Sequence, residues 1–319
     1  MRPFTAAFVA AALAVTAGTA ARAEQTVAVA SIVEHPALDA VYKGITDQLK
    51  EAPPKGGAPK VEFANAQGNQ ATAVQIARKY VGENPAVMVA IATPIAQSMA
   101  SATKDIPIVF AAVTDPIAAK LVQSEEKPGG NITGVSDLSP LDKQFELIQR
   151  VMPKAKRIGV VYNPGETNSV ALVDRIKKMA PKMGLTISEA SVAKSSDVIQ
   201  AGRSLVGKVD AIYVPTDNTV VSAFEGLVKV GEDAKLPVFA GDTDTVKRGA
   251  VAAVGFDYYA LGRQAGRMVT RVLDGAKPAT IPVETVHETQ LYVNPGEAEK
   301  MGLKLPKEVV AEAKEVVGK

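Results

Sequence analysis

A strand-to-helix unit occurs twice in this chain. In the first copy an apolar run over residues 26–30 leads through a polar loop at 31–36 into an amphipathic segment. In the second copy the run 157–162 leads through the loop 163–169 into another helical pattern. In open α/β sheets ligands bind beyond the carboxyl ends of the strands, where helix N-termini offer free N–H groups. Two such edges facing each other predict a clamp around a ligand.

The first 23 residues have the pattern of a secretory signal peptide. Arg2 supplies a basic start, residues 6–17 form a short apolar run, and Ala21-Arg22-Ala23 offers small residues for cleavage. The apolar run is shorter than the roughly 20 residues that a bilayer span requires. We therefore expect cleavage after Ala23, a mature chain that begins at Glu24, and a periplasmic location.

Composition restricts the class of partner. The chain has no cysteine, which excludes disulfides, thiolate metal sites and a lipid-modified cysteine. It carries 36 Lys and Arg against 34 Asp and Glu, and loss of Arg2 and Arg22 with the leader makes these counts equal. A net charge near zero gives no electrostatic footprint for nucleic acid or anionic membrane. We expect a monomer without a nucleic-acid partner.

Strand-like and helix-like patterns alternate along both halves of the chain. The strands are continuous Val, Ile and Ala runs, as burial on both faces of a parallel sheet requires. This predicts an α/β fold with two Rossmann-like, doubly wound lobes, and extended segments near the C-terminus suggest a three-strand hinge. Residues 132–135 have the pattern of a short crossing segment. The expected first lobe is 24–131 with 256–286, and the second is 132–255 with 287–319.

Seven short motifs follow one another in the order typical of a single family. They are Glu34-His35-Pro36-Ala37-Leu38-Asp39, Ala92-Thr93-Pro94, Val113-Thr114-Asp115-Pro116, Asn131-Ile132-Thr133-Gly134-Val135-Ser136-Asp137, Tyr162-Asn163-Pro164-Gly165-Glu166, Val214-Pro215-Thr216-Asp217-Asn218 and Gly255-Phe256-Asp257-Tyr258-Tyr259. With this set the mature chain resembles the periplasmic substrate-binding proteins of ABC importers, in the tryptophan and tyrosine branch. The resemblance implies the type I periplasmic-binding-protein fold and an ABC permease in the inner membrane as partner.

Acidic side chains outnumber basic ones in the loops that follow the predicted strands. The six acids Glu34, Asp115, Glu166, Asp217, Asp242 and Asp244 are accompanied only by His35, Lys247 and Arg248. A cleft rich in carboxylates attracts an ammonium group and repels phosphate, sulfate and dicarboxylates. The alternative for each acid is a helix cap or a loop brace.

Other loop residues are suited to bind the carboxylate and the side chain of a zwitterion. The helix starts after Thr93 and Asn168 offer N–H groups to a carboxylate, although either residue could serve only as an N-cap. Tyr162, Phe256 and Tyr258 offer apolar walls. We predict that the ligand is a small zwitterion, and our first candidate is an aromatic or other apolar amino acid. The candidate ligand-binding residues are Ser31, Glu34, Thr93, Thr114, Asp115, Tyr162, Asn163, Glu166, Asn168, Ser169, Asp217, Asn218, Asp242, Phe256 and Tyr258.

Enzymatic signatures are weak. The two histidines, His35 and His287, form no metal-spaced pair, and a G-x-S-x-G elbow is missing. Residues 202–208 imitate a P-loop, but Val209 replaces its Ser or Thr and the strand follows the loop instead of preceding it. We expect a binding protein with no cofactor, metal or catalytic residue. A ligand sensor for a membrane receptor and an enzyme on the same fold remain alternatives.

Overall fold

Two mostly parallel sheets form the cores of two lobes in the computed structural model, which describes residues 25–318. The leader predicted over residues 1–23 lies outside these residues. Strands are numbered along the chain. The first sheet has the order β11-β5-β4-β3-β1-β2, with β1 Thr26–Ser31, β2 Lys60–Asn65, β3 Val87–Ile91, β4 Ile108–Val113, β5 Ile132–Ser136 and β11 Glu284–Thr285. The second has the order β13-β12-β10-β9-β8-β6-β7, with β6 Arg157–Tyr162, β7 Thr186–Ser191, β8 Ala211–Val214, β9 Val238–Ala240, β10 Ala252–Gly255, β12 Gln290–Val293 and β13 Glu315–Val316.

Helices flank both sheets. The first lobe contains α1 Pro36–Glu51, α2 Gln70–Glu83, α3 Thr93–Ala102 and α10 Tyr258–Leu273. The second contains α4 Leu141–Val151, α5 Thr167–Met179, α6 Val198–Leu205, α7 Asn218–Ser222, α8 Phe224–Ala234, α9 Asp244–Lys247, α11 Pro295–Lys300 and α12 Lys307–Glu312. Among residues 25–318, none of the helices has the length and apolar character that a membrane crossing needs. The predicted α/β fold with two doubly wound lobes is confirmed.

The chain passes between the lobes at three places, 137–140, 256–257 and 286–289. The expected boundary after residue 131, and the assignment of 132–135 as a crossing segment, are both wrong by one strand. Ile132 pairs with Ile108 of β4, so this run completes the first sheet before the chain crosses. The physical reason is burial, because β5 is enclosed on both faces and the Thr133 hydroxyl is bonded to the Ile281 carbonyl at 2.8 Å.

Two glycines let α1 and α10 pack against each other at very short range. A Cβ on Gly262 would lie 2.2 Å from the Val41 carbonyl oxygen, and one on Gly44 would lie 2.3 Å from the Tyr259 carbonyl oxygen. Only glycine allows this approach of the two backbones. The contact fixes α10 to the first lobe after the second crossing. As a result, the N-termini of both helices face the same space between the lobes.

Candidate ligand-binding site

A cavity lies between the lobes, beyond the carboxyl ends of strands from both sheets. Its empty volume is about 340 Å³. The first lobe and its crossings line it with His35, Ala37, Leu38, Ala112, Thr114, Asp137 and Tyr258. The second lobe contributes Asn168, Thr216, Asp217, Asn218, Val221 and Asp242. This is the edge of an α/β sheet at which ligands bind.

Contacts between the lobes surround the cavity. The Gln97 amide on α3 donates to the Thr167 hydroxyl on α5 at 3.3 Å. Arg175, also on α5, donates to the Asp115 carboxylate after β4 at 2.7 Å. The side chain of Asn218 acts on the His35 ring from the opposite lobe and raises its pKa. These contacts join residues of opposite lobes, so the structure is a closed one.

Glu166 organises the second-lobe edge without lining the cavity. Its carboxylate accepts hydrogen bonds from the Asn218 amide at 2.5 Å, from the Thr219 N–H at 2.9 Å and hydroxyl at 2.7 Å, and from the Asn168 amide at 3.2 Å. These charge-assisted bonds satisfy a buried charge and fix its donors in place. Two of the donors, Asn168 and Asn218, line the cavity.

Asp217 is the N-cap of α7 and is fully buried. Its carboxylate accepts hydrogen bonds from the Val220 N–H at 2.8 Å, the Asn163 N–H at 2.6 Å and the Ser169 hydroxyl at 2.6 Å. Burial, and then the negative charge of Glu166, raise the pKa of Asp217 to about 7. Most of its acceptor capacity is used within the second lobe.

Asp242 and Asp137 complete a set of three buried carboxyls around the cavity. Asp242 accepts the Thr245 N–H at 3.0 Å, and no side chain of residues 25–318 donates to it. Burial, and then the charge of Asp244, raise the pKa of Asp242 to about 7. Asp137 accepts the Tyr258 hydroxyl at 2.9 Å and the Thr114 hydroxyl at 3.2 Å, and burial raises its pKa. Asp242 is therefore the cavity carboxyl with the fewest side-chain partners.

Three buried polar atoms near this edge have no hydrogen-bond partner. They are Nδ1 of His35 and Oδ1 of Asn168, both in the cavity lining, and the hydroxyl oxygen of Thr93 at the start of α3. Burial, with the nearby charge of Arg248, lowers the pKa of His35 to about 3, so its ring is neutral at physiological pH. Buried polar atoms normally have partners. A bound ligand could supply the missing ones.

The structure brings six of the fifteen candidate residues into the cavity lining: Thr114, Asn168, Asp217, Asn218, Asp242 and Tyr258. Glu166, Ser169 and Asn163 lie just behind it and hold the residues that line it. Their contact with a ligand stays a prediction. Within the described chain, no group of three or more His, Asp or Glu is arranged to hold a metal ion.

The remaining candidates lie elsewhere. Asp115 pairs with Arg175 at the contact between the lobes, and the Tyr162 hydroxyl donates to Glu189 on the neighbouring strand at 2.8 Å. Glu34 is exposed in a surface groove. Three others are buried outside the lining: Ser31, Thr93 and Phe256. These positions follow from contacts with residues far away in the sequence.

Several lining residues were absent from the sequence-based set. The polar ones are His35, Asp137 and Thr216, and the apolar ones are Ala37, Leu38, Ala112 and Val221. Asp137 could have been identified, because it directly follows β5. It was missed because residues 132–135 were assigned as a crossing segment instead of a strand. His35 was visible as the residue before α1, where it was counted only as a base.

A protein-family model described as ABC transporter substrate binding protein matches residues 26–317. The chain belongs to this family. A curated relative, the tyrosine-binding protein of Clostridioides difficile (strain R20291), is 43% identical over 277 residues, covering 86% of this chain and 80% of the relative. A structure from Streptococcus pneumonia, described as an ABC domain in complex with L-Trp, is 39% identical, with a TM-score of 0.89 over 92% of this chain and 100% of that one. The resemblance to tryptophan- and tyrosine-type substrate-binding proteins is confirmed, as is the type I fold.

A third comparison bears on the conformation of this ABC substrate-binding protein. A ligand-free, open structure of a substrate-binding protein with adhesive properties from Clostridium difficile is also 39% identical and also covers 92% of this chain and 100% of that one, but its TM-score is only 0.69. The structure of this chain therefore superposes better on the L-Trp complex than on the ligand-free, open structure.

Proposed function

We propose that this ABC substrate-binding protein captures a small zwitterion, an aromatic amino acid, between its lobes and delivers it to the permease of an importer. One observation carries the proposal. The closed cavity is lined by three carboxyls and a neutral histidine, and no lysine or arginine of residues 25–318 lines it. Such a site favours a cationic group over phosphate or dicarboxylate ligands. The names of the tyrosine-binding relative and of the L-Trp complex support an aromatic amino acid.

The ligand ammonium is assigned to the second lobe. Asp242 is buried and receives no hydrogen bond from a described side chain. Asn168 directs its amide N–H groups to Glu166 and to the Thr216 carbonyl, which leaves its unpartnered Oδ1 as an acceptor. An ammonium has three donors and no acceptor, so a carboxylate and an amide oxygen suit it.

The ligand carboxylate is assigned to the first turn of α3. Ala92, the residue before this helix, makes no side-chain cap, so the N–H groups of Thr93 and Ile95 have no capping side chain, while Pro94 between them has no N–H. This turn lies outside the cavity lining. The Thr93 hydroxyl beside these N–H groups is buried and unpartnered. Together with the helix dipole, these donors can bind an anion without a guanidinium. The apolar lining residues Leu38 and Val221 are left for the ligand's side chain.

The ligand's ammonium and carboxylate are thus assigned to different lobes, and this implies binding by hinge closure. A ligand that contacts both lobes favours the closed state by its differential contacts with the open and closed forms. We further propose that the protein is exported through the leader over residues 1–23 and cleaved after Ala23. N-terminal sequencing of the secreted protein checks this, and an intact Met1 on membrane-bound material would contradict it.

A ligand screen tests the proposed function. The thermal transition of the mature protein is measured with amino acids, sugars, purines, aromatic acids and dicarboxylates. A ligand at 100 times its Kd adds about 2.7 kcal/mol of stability, which gives a clear shift. We expect aromatic amino acids to shift the transition most, and a response to sugars or dicarboxylates alone would overturn the proposal. Co-purification with a permease, as opposed to a signalling receptor, separates transport from sensing.

A further inference from the structure

His35 lines the cavity and has an unpartnered ring nitrogen. Its ring is neutral and buried, and Nδ1 has no partner in the structure. The residue directly precedes α1 and lines the cavity from the first lobe. A neutral imidazole has one N–H donor and one acceptor nitrogen, so the role of Nδ1 depends on which nitrogen carries the proton.

The hydrogen bonds of Asn218 determine where that proton lies. The Asn218 amide nitrogen donates to the Glu166 carboxylate at 2.5 Å, and the Asn218 side chain raises the pKa of His35, which is the effect of an acceptor oxygen beside the ring. An oxygen acceptor requires an N–H on the ring nitrogen that meets it. Since Nδ1 is unpartnered, that nitrogen is Nε2. Nδ1 is then a bare acceptor on a residue that lines the cavity.

The surroundings restrict which ligand group this acceptor can meet. A carboxylate has no donor to offer to Nδ1. An ammonium is drawn to the buried carboxyls, and the proposed function assigns it to Asp242 on the second lobe. The group that remains is a neutral O–H or N–H on the ligand's side chain.

We propose that Nδ1 of His35 accepts a hydrogen bond from the ligand's side chain and thereby selects a phenol or an indole over a phenyl ring. This inference rests on the proposed function. Glu166 and Asn218 act as positioning residues, because they orient the ring without contacting the ligand group that it recognises. The unpartnered atom is then the feature that distinguishes tyrosine or tryptophan from phenylalanine.

Calorimetric titration with L-tyrosine, L-phenylalanine and L-tryptophan tests the proposal. Tyrosine and phenylalanine differ by one hydroxyl, and we expect the native protein to bind phenylalanine about tenfold more weakly, which is the effect of one hydrogen bond. In His35→Leu the ratio of the Kd for phenylalanine to the Kd for tyrosine should fall to about one, because the affinity for tyrosine drops while the affinity for phenylalanine is kept. His287→Leu is the control, since His287 is exposed and outside the cavity lining.

Nitrogen-15 NMR on the native protein gives a second readout that requires no cavity variant. The chain has only two histidines, so the His287→Leu spectrum assigns the His35 signals. We expect a proton on Nε2 and an unprotonated Nδ1, whose resonance shifts on addition of tyrosine but not of phenylalanine. A proton on Nδ1 in the free protein would overturn the proposal.

The outcomes separate this inference from the proposed function. If His35→Leu weakens the binding of phenylalanine as much as that of tyrosine, Nδ1 contacts a group common to both ligands and the selection role is wrong. If the native protein binds all three amino acids equally, the selection role is again wrong while the proposed function stands. If it binds no aromatic amino acid, both fail.

Discussion

The two lobes contribute to the cavity in different ways. On the second lobe, Glu166 and Asp217 each accept several hydrogen bonds from their own lobe, and these bonds hold Asn168 and Asn218 in place. On the first lobe, His35 and Thr93 each have an unpartnered buried atom, whereas the cavity face of the second lobe has one, Oδ1 of Asn168. Backbone strain is also found on the first lobe, where Ala92 and Ala112 have φ of 80° and 56°. Strained residues of this kind concentrate at functional sites.

The difference suggests an order of events. A preformed, hydrogen-bonded face loses little entropy when it binds a ligand, so it is suited to the first contact. A face with unsatisfied atoms gains most when a ligand and the opposite lobe arrive together. We therefore expect the charged end of the ligand to bind the second lobe and the first lobe to complete the site on closure.

Removal of the Asp242 charge should have the largest effect on affinity. Asp242→Asn is expected to raise the Kd for an aromatic amino acid by at least tenfold, because a charge-assisted hydrogen bond contributes about 1.5–3 kcal/mol. Calorimetry measures the change. Asp233→Asn, an exposed acid of the second lobe, is the matched control and should leave the Kd unchanged. An unaltered Kd in Asp242→Asn would mean that the ligand ammonium does not bind Asp242.

Asp217 should affect stability more than recognition. Asp217→Asn places an amide NH2 where one carboxylate oxygen accepts the Asn163 N–H and the Ser169 hydroxyl, so the free energy of unfolding should fall by about 1–2 kcal/mol. Urea denaturation of the ligand-free protein measures this. Asn69→Ala removes the cap of α2 in the first lobe, outside the cavity lining, and should cost about 1 kcal/mol without changing the Kd. Unchanged stability in Asp217→Asn would mean that the Asp217 carboxylate does not stabilise the folded second lobe.

Affinity should depend on pH. The pKa values of Asp217 and Asp242 are both raised to about 7, so the folded, ligand-free protein binds more protons than the unfolded chain between about pH 4 and 7. Its stability should therefore fall as the pH rises through this window. A ligand ammonium favours the ionised carboxylate, so binding should release protons and tighten about tenfold from pH 5.5 to 8.

Calorimetry in buffers of different ionisation enthalpy measures the released protons directly. Asp242→Asn should release fewer protons than the native protein. Binding without proton release at pH 6 would show that neither aspartate becomes ionised when the ligand enters.

The ion pair between the lobes should have the smallest effect. Arg175→Met removes the contact with Asp115 and should weaken binding by at most about fivefold, since half-exposed ion pairs contribute about 0.2–1 kcal/mol. Lys177→Met on the same helix is the control, because its partner Glu189 belongs to the same lobe. The Arg175 effect should diminish at high salt. Equal effects of the two variants would mean that the ion pair does not favour closure.

Much of this architecture was predictable from local patterns. Continuous apolar runs such as 157–162 identify buried parallel strands, and the polar loops that follow them identify the binding edge. The misassigned strand β5 shows the limit of such patterns. Its short apolar run becomes a sheet strand only through pairing with β4, which the local sequence does not encode.

The amino-acid sequence by itself determined the two-lobed α/β fold, the family and the position of the binding edge, because periodicity and strand-end loops are local properties. Only the tertiary structure decided the role of each side chain. Asp115 and Asp217 both follow apolar strands, yet Asp115 meets Arg175 across the lobes while Asp217 caps α7 in a fully buried network. Burial and partners depend on residues dozens of positions away, and these set the charge, hydrogen bonding and orientation that binding requires.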